Sequence, residues 1–399
     1  MKRLLFFTQS FPYSYKEPFI ENEIGYLSEA FDEITILPWI GEGEITRKVP
    51  SNCRVLKPML RNDRDTILSG IFCWAPVFYF IRRFFSDKAY TSLSKAIKYI
   101  SVSIFCRAIL SNKDFKKVND EFKDETVYFY WGIGTAYVLP FIKNTRKKIV
   151  RFHGADIYLE RRSNRYLPFR KEVYTHLTQA VYISKQGLDY ALERYGKYHF
   201  NACYSYLGTL DHGVKKSFPP DATIHLLSCS NVIPVKRVAL ILEALQTIQE
   251  QKIEWTHIGD GNLWEELKEK SRHLPENIKV NFTGRWSNKQ VIEYYQTRPI
   301  DIFINVSSSE GLPVAIMEAI SFDIPIIATN VGGTREIVTS ETGMLIAPDS
   351  SPEFIATQIR EVYKIKDTFH PRELWLEKFS AKKNYPDFIQ HVLLPVPNK

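Results

Sequence analysis

The stretch Asp301–Thr329, DIFINVSSSEGLPVAIMEAISFDIPIIAT, decides the fold. Asp301–Val306 is an apolar run of strand length. Ser307–Gly311 is a polar turn, Leu312–Phe322 carries apolar residues at helical spacing, and Ile324–Thr329 is a second apolar run. Neither run alternates polar with apolar, so both strands are expected to be buried on two faces, as in a parallel sheet. The unit recurs on both sides. Thr223–Ser230 precedes VKRVALILEALQTIQE, Ile253–Gly259 precedes NLWEELKEKSRHL, Ile278–Phe282 precedes SNKQVIEYYQ, and Gly343–Ala347 precedes PEFIATQIREVYKI. Residues 211–372 therefore read as one doubly wound α/β domain.

Residues 1–210 repeat the theme with interruptions. Strands are expected at Arg3–Thr8, Glu33–Leu37, Thr126–Tyr130, Lys148–Phe152, Ala180–Ser184 and Cys203–Leu207, with helices over PFIENEIGYLSEAF, near Thr135–Lys143 and over Gln186–Tyr195. A basic, aromatic helical insertion spans 61–120. The link lies near Gly208–Asp221, rich in Gly, Pro and charge. A last helical pattern in 373–399 is expected to pack back on the first domain. Two domains suit a chain of 399 residues.

The composition, 44% hydrophobic and 25% charged, excludes disorder, collagen-like repeats and a coiled coil. Five widely spaced cysteines without a C-x-x-C make neither a disulfide framework nor a zinc site. Met1-Lys2-Arg3 leads into a short apolar run, Leu4–Phe7, read as a first strand rather than a leader. Within a net charge of +8, residues 61–120 carry +6 and residues 146–171 carry +7, leaving the remainder acidic. The first half should face something anionic. Ile67–Phe85, ILSGIFCWAPVFYFIRRFF, followed by Lys95, Lys98 and Arg107 among apolar residues, has the composition of an interfacial membrane helix, and equally of buried helices with solvated basic faces. No nucleic-acid motif accompanies the charge, so nucleic acid is not an expected partner.

The chemistry concentrates after Val306. Gly311 permits close backbone approach, and a helix beginning near Leu312-Pro313 would turn the N–H groups of its first turn and its dipole, around Val314, toward an anion such as a diphosphate. Glu310 precedes that helix and Glu318 lies within it. Eight residues at 1.5 Å rise separate them by roughly 12 Å, enough to bracket a sugar and a ribose through hydroxyl hydrogen bonds. Asp63-Arg64-Asp65 is a D-x-D triplet of a kind expected by chance. No metal-ligand cluster and no G-x-S-x-G elbow is present, and no metal or other cofactor is expected.

Glu310 and Glu318, with GLPVAIMEA, IPIIATNVGGTREIV and TGMLIAP, resemble the E-x7-E region of retaining GT-B glycosyltransferases of family 4, as found in bacterial surface-polysaccharide synthesis. The resemblance implies two Rossmann-like doubly wound domains facing a central cleft. It implies catalytic roles for Glu310, Lys236 and His153, and donor contacts from Arg237, Asn231, Gly259, Asp260, Gly284, Arg285, Gly311, Leu312, Pro313, Val314, Glu318, Gly332 and Gly333. The family's basic pair, G-R-x-x-x-x-K-G, keeps Lys236, but its arginine falls on Asn231 and its last glycine on Arg237. His257–Gly261 resembles the family's G-D-G turn, and Phe282–Trp286 the loop bordering the base. Arg151–Asp156 is similar to the H-G-x-D strand end. Asp156, Glu21 and Asn22 stand on the acceptor side, where Ser14–Glu23 replaces a Gly-rich loop and resembles an F-I-x-N-E subgroup.

What the resemblance implies is sugar transfer from a nucleotide diphosphate, UDP favoured over GDP, to a hydroxyl of a glycan or lipid-linked acceptor, with anomeric configuration kept. The setting would be polysaccharide, lipopolysaccharide or capsule assembly in the cytoplasm, at the inner face of the membrane if the basic first half touches anionic lipid. The alternative is a non-catalytic nucleotide-sugar-binding or scaffold subunit, which the loss of arginine at Asn231 keeps open.

Overall fold

A computed structural model describes residues 1–14, 17–60, 64–73, 76–122, 125–142, 146–162, 164–219 and 221–394. The chain forms two compact units. The first comprises 1–205 with 385–399, and the second comprises 206–384.

In the first unit the described strands are β1 (Arg3–Thr8), β2 (Glu33–Pro38), β3 (Cys53–Val55), β4 (Thr126–Phe129), β5 (Lys148–Phe152), β6 (Gln179–Tyr182) and β7 (Ala202–Tyr204), ordered β3-β2-β1-β4-β5-β6-β7. All pairings are parallel, with Leu4 opposite Ile34 on one side and Thr126 on the other. The central strands are buried on both faces. Leu5, Phe7, Val127 and Phe129 join one core cluster, and Leu4, Phe6, Tyr128 and Tyr130 another, as the period of two requires for a strand covered on each side.

Among the described residues, four α-helices lie between β3 and β4: Arg64–Phe72, Val77–Ser86, Leu93–Ser111 and Lys113–Glu121. Their inner faces, including Phe80, Tyr99, Cys106, Ile109, Phe115 and Val118, complete the first cluster. Helix Phe19–Ala30 and the C-terminal residues Phe388, Ile389 and Leu393 complete the second. The helix expected near Thr135–Lys143 is a 3₁₀ helix over Gly134–Phe141, and Lys143 lies outside the described residues. Pro140, lacking an N–H, lies inside the 3₁₀ helix.

The second unit has β8 (Thr223–Cys229), β9 (Lys252–Ile258), β10 (Ile278–Gly284), β11 (Ile302–Asn305), β12 (Ile326–Thr329) and β13 (Gly343–Ile346), ordered β10-β9-β8-β11-β12-β13 and parallel throughout. Both units thus use the doubly wound order, which reverses direction at β1/β4 and at β8/β11. Ligands bind at such switch points, beyond the carboxyl ends of the strands.

The division differs from the expected boundaries at 210/211 and 372/373. Residues 373–384 belong to the second unit. Buried Trp375 on helix Pro371–Lys378 donates its indole N–H to Thr209 Oγ1 at 2.7 Å, and Arg372 makes a bidentate pair with Asp211 at 2.8 Å. From Tyr385 onward the chain belongs to the first unit.

Candidate functional site

The switch point of the second unit is built on one buried carboxylate. Glu310 lies on the turn after β11 and is 5% exposed. Lys236, in the 3₁₀ turn Pro234–Lys236 after β8, places Nζ 2.6 Å from Glu310 Oε1. Asn305, the last residue of β11, donates to the same oxygen at 3.2 Å. Ser308 N–H donates to Val235 O at 2.8 Å, tying the two loops together. Burial would raise the Glu310 carboxyl. The Lys236 ammonium and its hydrogen bonds outweigh that and hold it below its ordinary value.

Glycines bring the surrounding loops this close. Gly332 has φ +53°, and a Cβ there would lie 1.9 Å from Glu310 O. Gly333 N–H donates to Gly311 O at 2.9 Å. Gly259 has φ +137°, with Ser230 O 1.9 Å from where its Cβ would stand, and its N–H donates to Gly284 O at 2.9 Å. Both positions combine contact distances no side chain tolerates with a backbone that disfavours L-residues. Below them, buried Ser228 Oγ lies 2.8 Å from His257 Nδ1 and accepts from Trp255 Nε1 at 2.9 Å, locking the ends of β8 and β9 together.

Helix Val314–Ser321 begins two residues later than expected, with Pro313 just outside it. Gly311, Leu312 and Pro313 are buried behind its start. Its first two N–H groups, of Val314 and Ala315, are of the kind that lack intrahelical partners and favour an anion, while that of Ile316 donates to Pro313 O at 3.1 Å. One helical face on, Glu318 accepts from Asn288 Nδ2 at 2.9 Å. Burial raises its carboxyl to about 7, against that hydrogen bond. Two carboxylates of one motif are thus driven apart, Glu310 held ionised and Glu318 poised near neutrality.

Other candidates stand elsewhere. Arg237 turns away from Glu310. Its guanidinium donates to the carbonyls of Val306 (2.7 Å), Pro348 (2.6 Å) and Ser307 (3.4 Å). Asn231 is exposed on the turn between β8 and Lys236. Asp260 and Arg285 pair with each other at 2.7 Å on the surface, and Trp286 packs beside Tyr294 at 5.6 Å. Among the described residues, no group of three or more His, Cys, Asp or Glu side chains converges as a metal site. Asp63 of the D-x-D triplet lies outside the described residues.

In the first unit, His153 follows β5 and is 5% exposed. Its ring packs on Trp131 at 4.2 Å and Tyr130 at 5.0 Å. Burial and the neighbouring Arg151 guanidinium press its pKa well below the usual value, so the imidazole is neutral. Among the described residues neither ring nitrogen has a hydrogen-bond partner, and Asp156 Oδ2 is 4.0 Å from Nδ1. Asp156 accepts from the backbone N–H groups of Gly132 (2.7 Å) and His153, joining the loops after β4 and β5. Burial raises it to about 7 against those bonds. Glu21 pairs with Arg47 at 2.9 Å and Asn22 is half-buried on the same helix, while Glu23 forms a fully buried pair with Arg151 at 2.7 Å.

Sequence reasoning missed Asn305, Asn288, Glu17 and Trp131. Glu17 is 1% exposed. It accepts from the N–H groups of Ser10 and Phe11, both at 2.7 Å, of Gln9 at 3.2 Å, and from Trp131 Nε1 at 2.6 Å. It therefore holds the loop after β1 and the indole on which His153 rests. Asn305 had a signal, a polar residue ending an apolar strand. Glu17 had none.

Residues 214–373 match the family of glycosyl transferases group 1. That stretch carries Lys236, Glu310, Glu318 and the glycine contacts. An O-antigen biosynthesis glycosyltransferase of Escherichia coli is 23% identical over 137 residues, 34% of this chain and 37% of that one. The curated relatives are matched over 23–37% of their own lengths. The likeness of fold extends over nearly the whole chain. Sucrose-phosphate synthase from Thermosynechococcus elongatus gives a TM-score of 0.71 at 13% identity, covering 98% of each chain. A protein from Anabaena, solved in complex with UDP, gives 0.64 at 14% identity, covering 98% and 99%. The fold is GT-B, two Rossmann-like units, and the group 1 region is its second unit.

Proposed function

We propose that this chain is a retaining glycosyltransferase, moving a sugar from a nucleoside diphosphate, UDP in preference to GDP, to a hydroxyl of a glycan or lipid-linked acceptor in polysaccharide or lipopolysaccharide biosynthesis. The observation that carries this is the Lys236–Glu310–Asn305 cluster at the β8/β11 switch point of a group 1 region. The UDP complex of the Anabaena structure and the O-antigen role of the E. coli relative support the donor and the setting.

In the proposed reaction the acceptor oxygen bonds to the anomeric carbon on the face from which the diphosphate leaves. The anomeric C–O bond to the β-phosphate breaks, and the departing phosphate oxygen takes the hydroxyl proton. The protein's part is position and charge. Lys236 and the start of helix Val314–Ser321 stabilise the diphosphate as negative charge develops. Glu310 accepts from hydroxyls of the donor sugar, and Glu318 from those of the ribose. In the first unit, His153 offers a neutral imidazole, one ring nitrogen to donate and one to accept. Lys236 supplies the cation that a metal supplies elsewhere, so the rate is expected to be unchanged by EDTA.

The test incubates the protein with UDP-, GDP- and ADP-sugars and a panel of glycan and lipid-linked acceptors. It follows nucleotide release and the anomeric coupling of the product by NMR. Release that depends on acceptor and Lys236, with configuration kept, is expected. An inverted anomeric centre overturns the mechanism. Nucleotide binding without transfer for any pair puts the scaffold reading in its place.

A further inference from the structure

The helical insertion turns an apolar face outward. Of the nineteen large apolar side chains exposed among the described residues, ten lie between Leu68 and Ile100. On helix Val77–Ser86 the outward residues are Phe78 (88% exposed), Ile81 (50%) and Phe85 (61%), at positions i, i+3 and i+7. On helix Leu93–Ser111 they are Leu93 (78%), Ile97 (59%) and Ile100 (51%), at i, i+4 and i+7. That spacing makes one stripe on each helix. The inner faces are already satisfied. Phe80 and Tyr99 are buried, Tyr99 Oη donates to Phe80 O at 2.8 Å, and Phe84 packs on Tyr99 at 5.4 Å. Phe85 and Tyr90, 6.0 Å apart, bridge the stripes. The outward stripes thus do nothing for the core, and an exposed apolar surface of this extent marks an interaction site.

The charge around the stripes has one sign. From Thr66 to Asn112 the sequence holds a single carboxylate, Asp87. It is turned inward to accept from the Tyr166 hydroxyl and Phe169 N–H. Arg82, Lys88 and Lys98 are exposed beside the stripes. An isologous contact between two copies would set these cations against their own images. An anionic bilayer pairs them with headgroups while the Phe and Leu side chains enter the acyl boundary. No described helix is long and apolar enough to cross a membrane, which leaves contact in the plane of the surface.

We propose that the outward face of helices Val77–Ser86 and Leu93–Ser111 docks on an anionic lipid surface, Phe78, Phe85 and Leu93 inserting and Arg82 and Lys98 contacting headgroups. This rests on the surface of the first unit and is independent of the reading of the second unit as a sugar-transfer domain.

The full chain is sedimented with phosphatidylcholine vesicles, without and with about 30% phosphatidylglycerol. Binding is expected with phosphatidylglycerol and at least about tenfold weaker without it. The triple variant Phe78→Ser/Phe85→Ser/Leu93→Ser should lose binding with no fall in Tm, because these side chains are outside the core. Arg82→Glu/Lys98→Glu should remove the preference for phosphatidylglycerol. The proposal is overturned if the protein stays in the supernatant with both vesicles, or if the triple variant sediments like the parent. A dimer in size-exclusion chromatography that the triple variant converts to monomer would also overturn it, assigning the face to a second copy.

Discussion

The two units share one strand order and build their switch points by opposite means. In the second unit, glycines let backbone meet backbone. Gly259 lies against Ser230 and Gly332 against Glu310, and the charged pair Lys236–Glu310 is placed on top. In the first unit, buried carboxylates gather backbone N–H groups, Glu17 for the loop after β1 and Asp156 for those after β4 and β5. Aromatic rings then hold a neutral His153. Contact between backbones makes a rigid crevice that only glycine permits. Carboxylate anchoring makes a loop whose shape depends on one ionisable side chain. The two should therefore break differently.

The largest effect is expected where the charged pair is removed. Lys236→Ala and Glu310→Gln should each lower kcat/KM for nucleotide release by about 10²–10³-fold. The double variant should be little worse than either single one, since the two side chains act on one another at 2.6 Å. Full additivity would show that they serve separate steps. Next comes Gly332→Ala. Its φ of +53° and the 1.9 Å approach to Glu310 O demand that the loop move. A loss of about 2–4 kcal/mol in urea unfolding is expected from strain and overpacking together, with activity falling alongside. A variant as stable as the parent would show that the crevice is not rigid.

In the first unit the corresponding break is Glu17→Gln. Of its two oxygens, Oε1 faces Gln9 N–H and the Trp131 indole, and Oε2 faces Ser10 and Phe11 N–H. An amide must turn its NH₂ toward donors on one side, at a cost of about 1–3 kcal/mol. As a positioning residue acting through Trp131 on His153, Glu17 should affect KM for donor more than kcat. Glu17→Gln/His153→Ala should be no slower than His153→Ala alone. A double variant that multiplies the two losses would confine Glu17 to folding.

The same contrast explains what was legible. The fold of the second unit could be read because its strands are continuous apolar runs separated by helical periods. Its candidate site could be picked out because Glu310, Glu318 and the glycines around them resemble a family motif, and the fold brings Lys236 to Glu310. In the first unit β3 is three half-buried residues, Cys53–Val55, with no apolar run to announce it. The helix expected near Thr135–Lys143 is present as a 3₁₀ segment with Pro140 inside it. A carboxylate that accepts backbone N–H groups looks, in sequence, like any surface glutamate. Arg237 shows the converse. The resemblance implied a donor contact at Arg237, and the folded chain shows its guanidinium donating to three carbonyls.

The smallest effect concerns Glu318. Its carboxyl keeps its proton to about 7 in the folded chain, against an ordinary value of 4.5. Across that window the folded state binds more protons than the unfolded one, so this group's contribution to stability is greatest below the ordinary value and declines as pH rises toward 7. Asp156 is raised in the same way to about 7 and adds a decline of the same sign. The lowered pKa values of buried His153, His257 and Glu310 act with the opposite sign, so the test is the difference between proteins: between about pH 5 and 7.5 the Tm of the nucleotide-free parent should fall relative to that of Glu318→Gln. Because the two carboxyls lie in different units, Glu318→Gln should change the profile only for the second unit where the units melt separately. Equal slopes for parent and variant would mean that Glu318 is already hydrated, and that its enclosure beside Asn288 waits for the ribose.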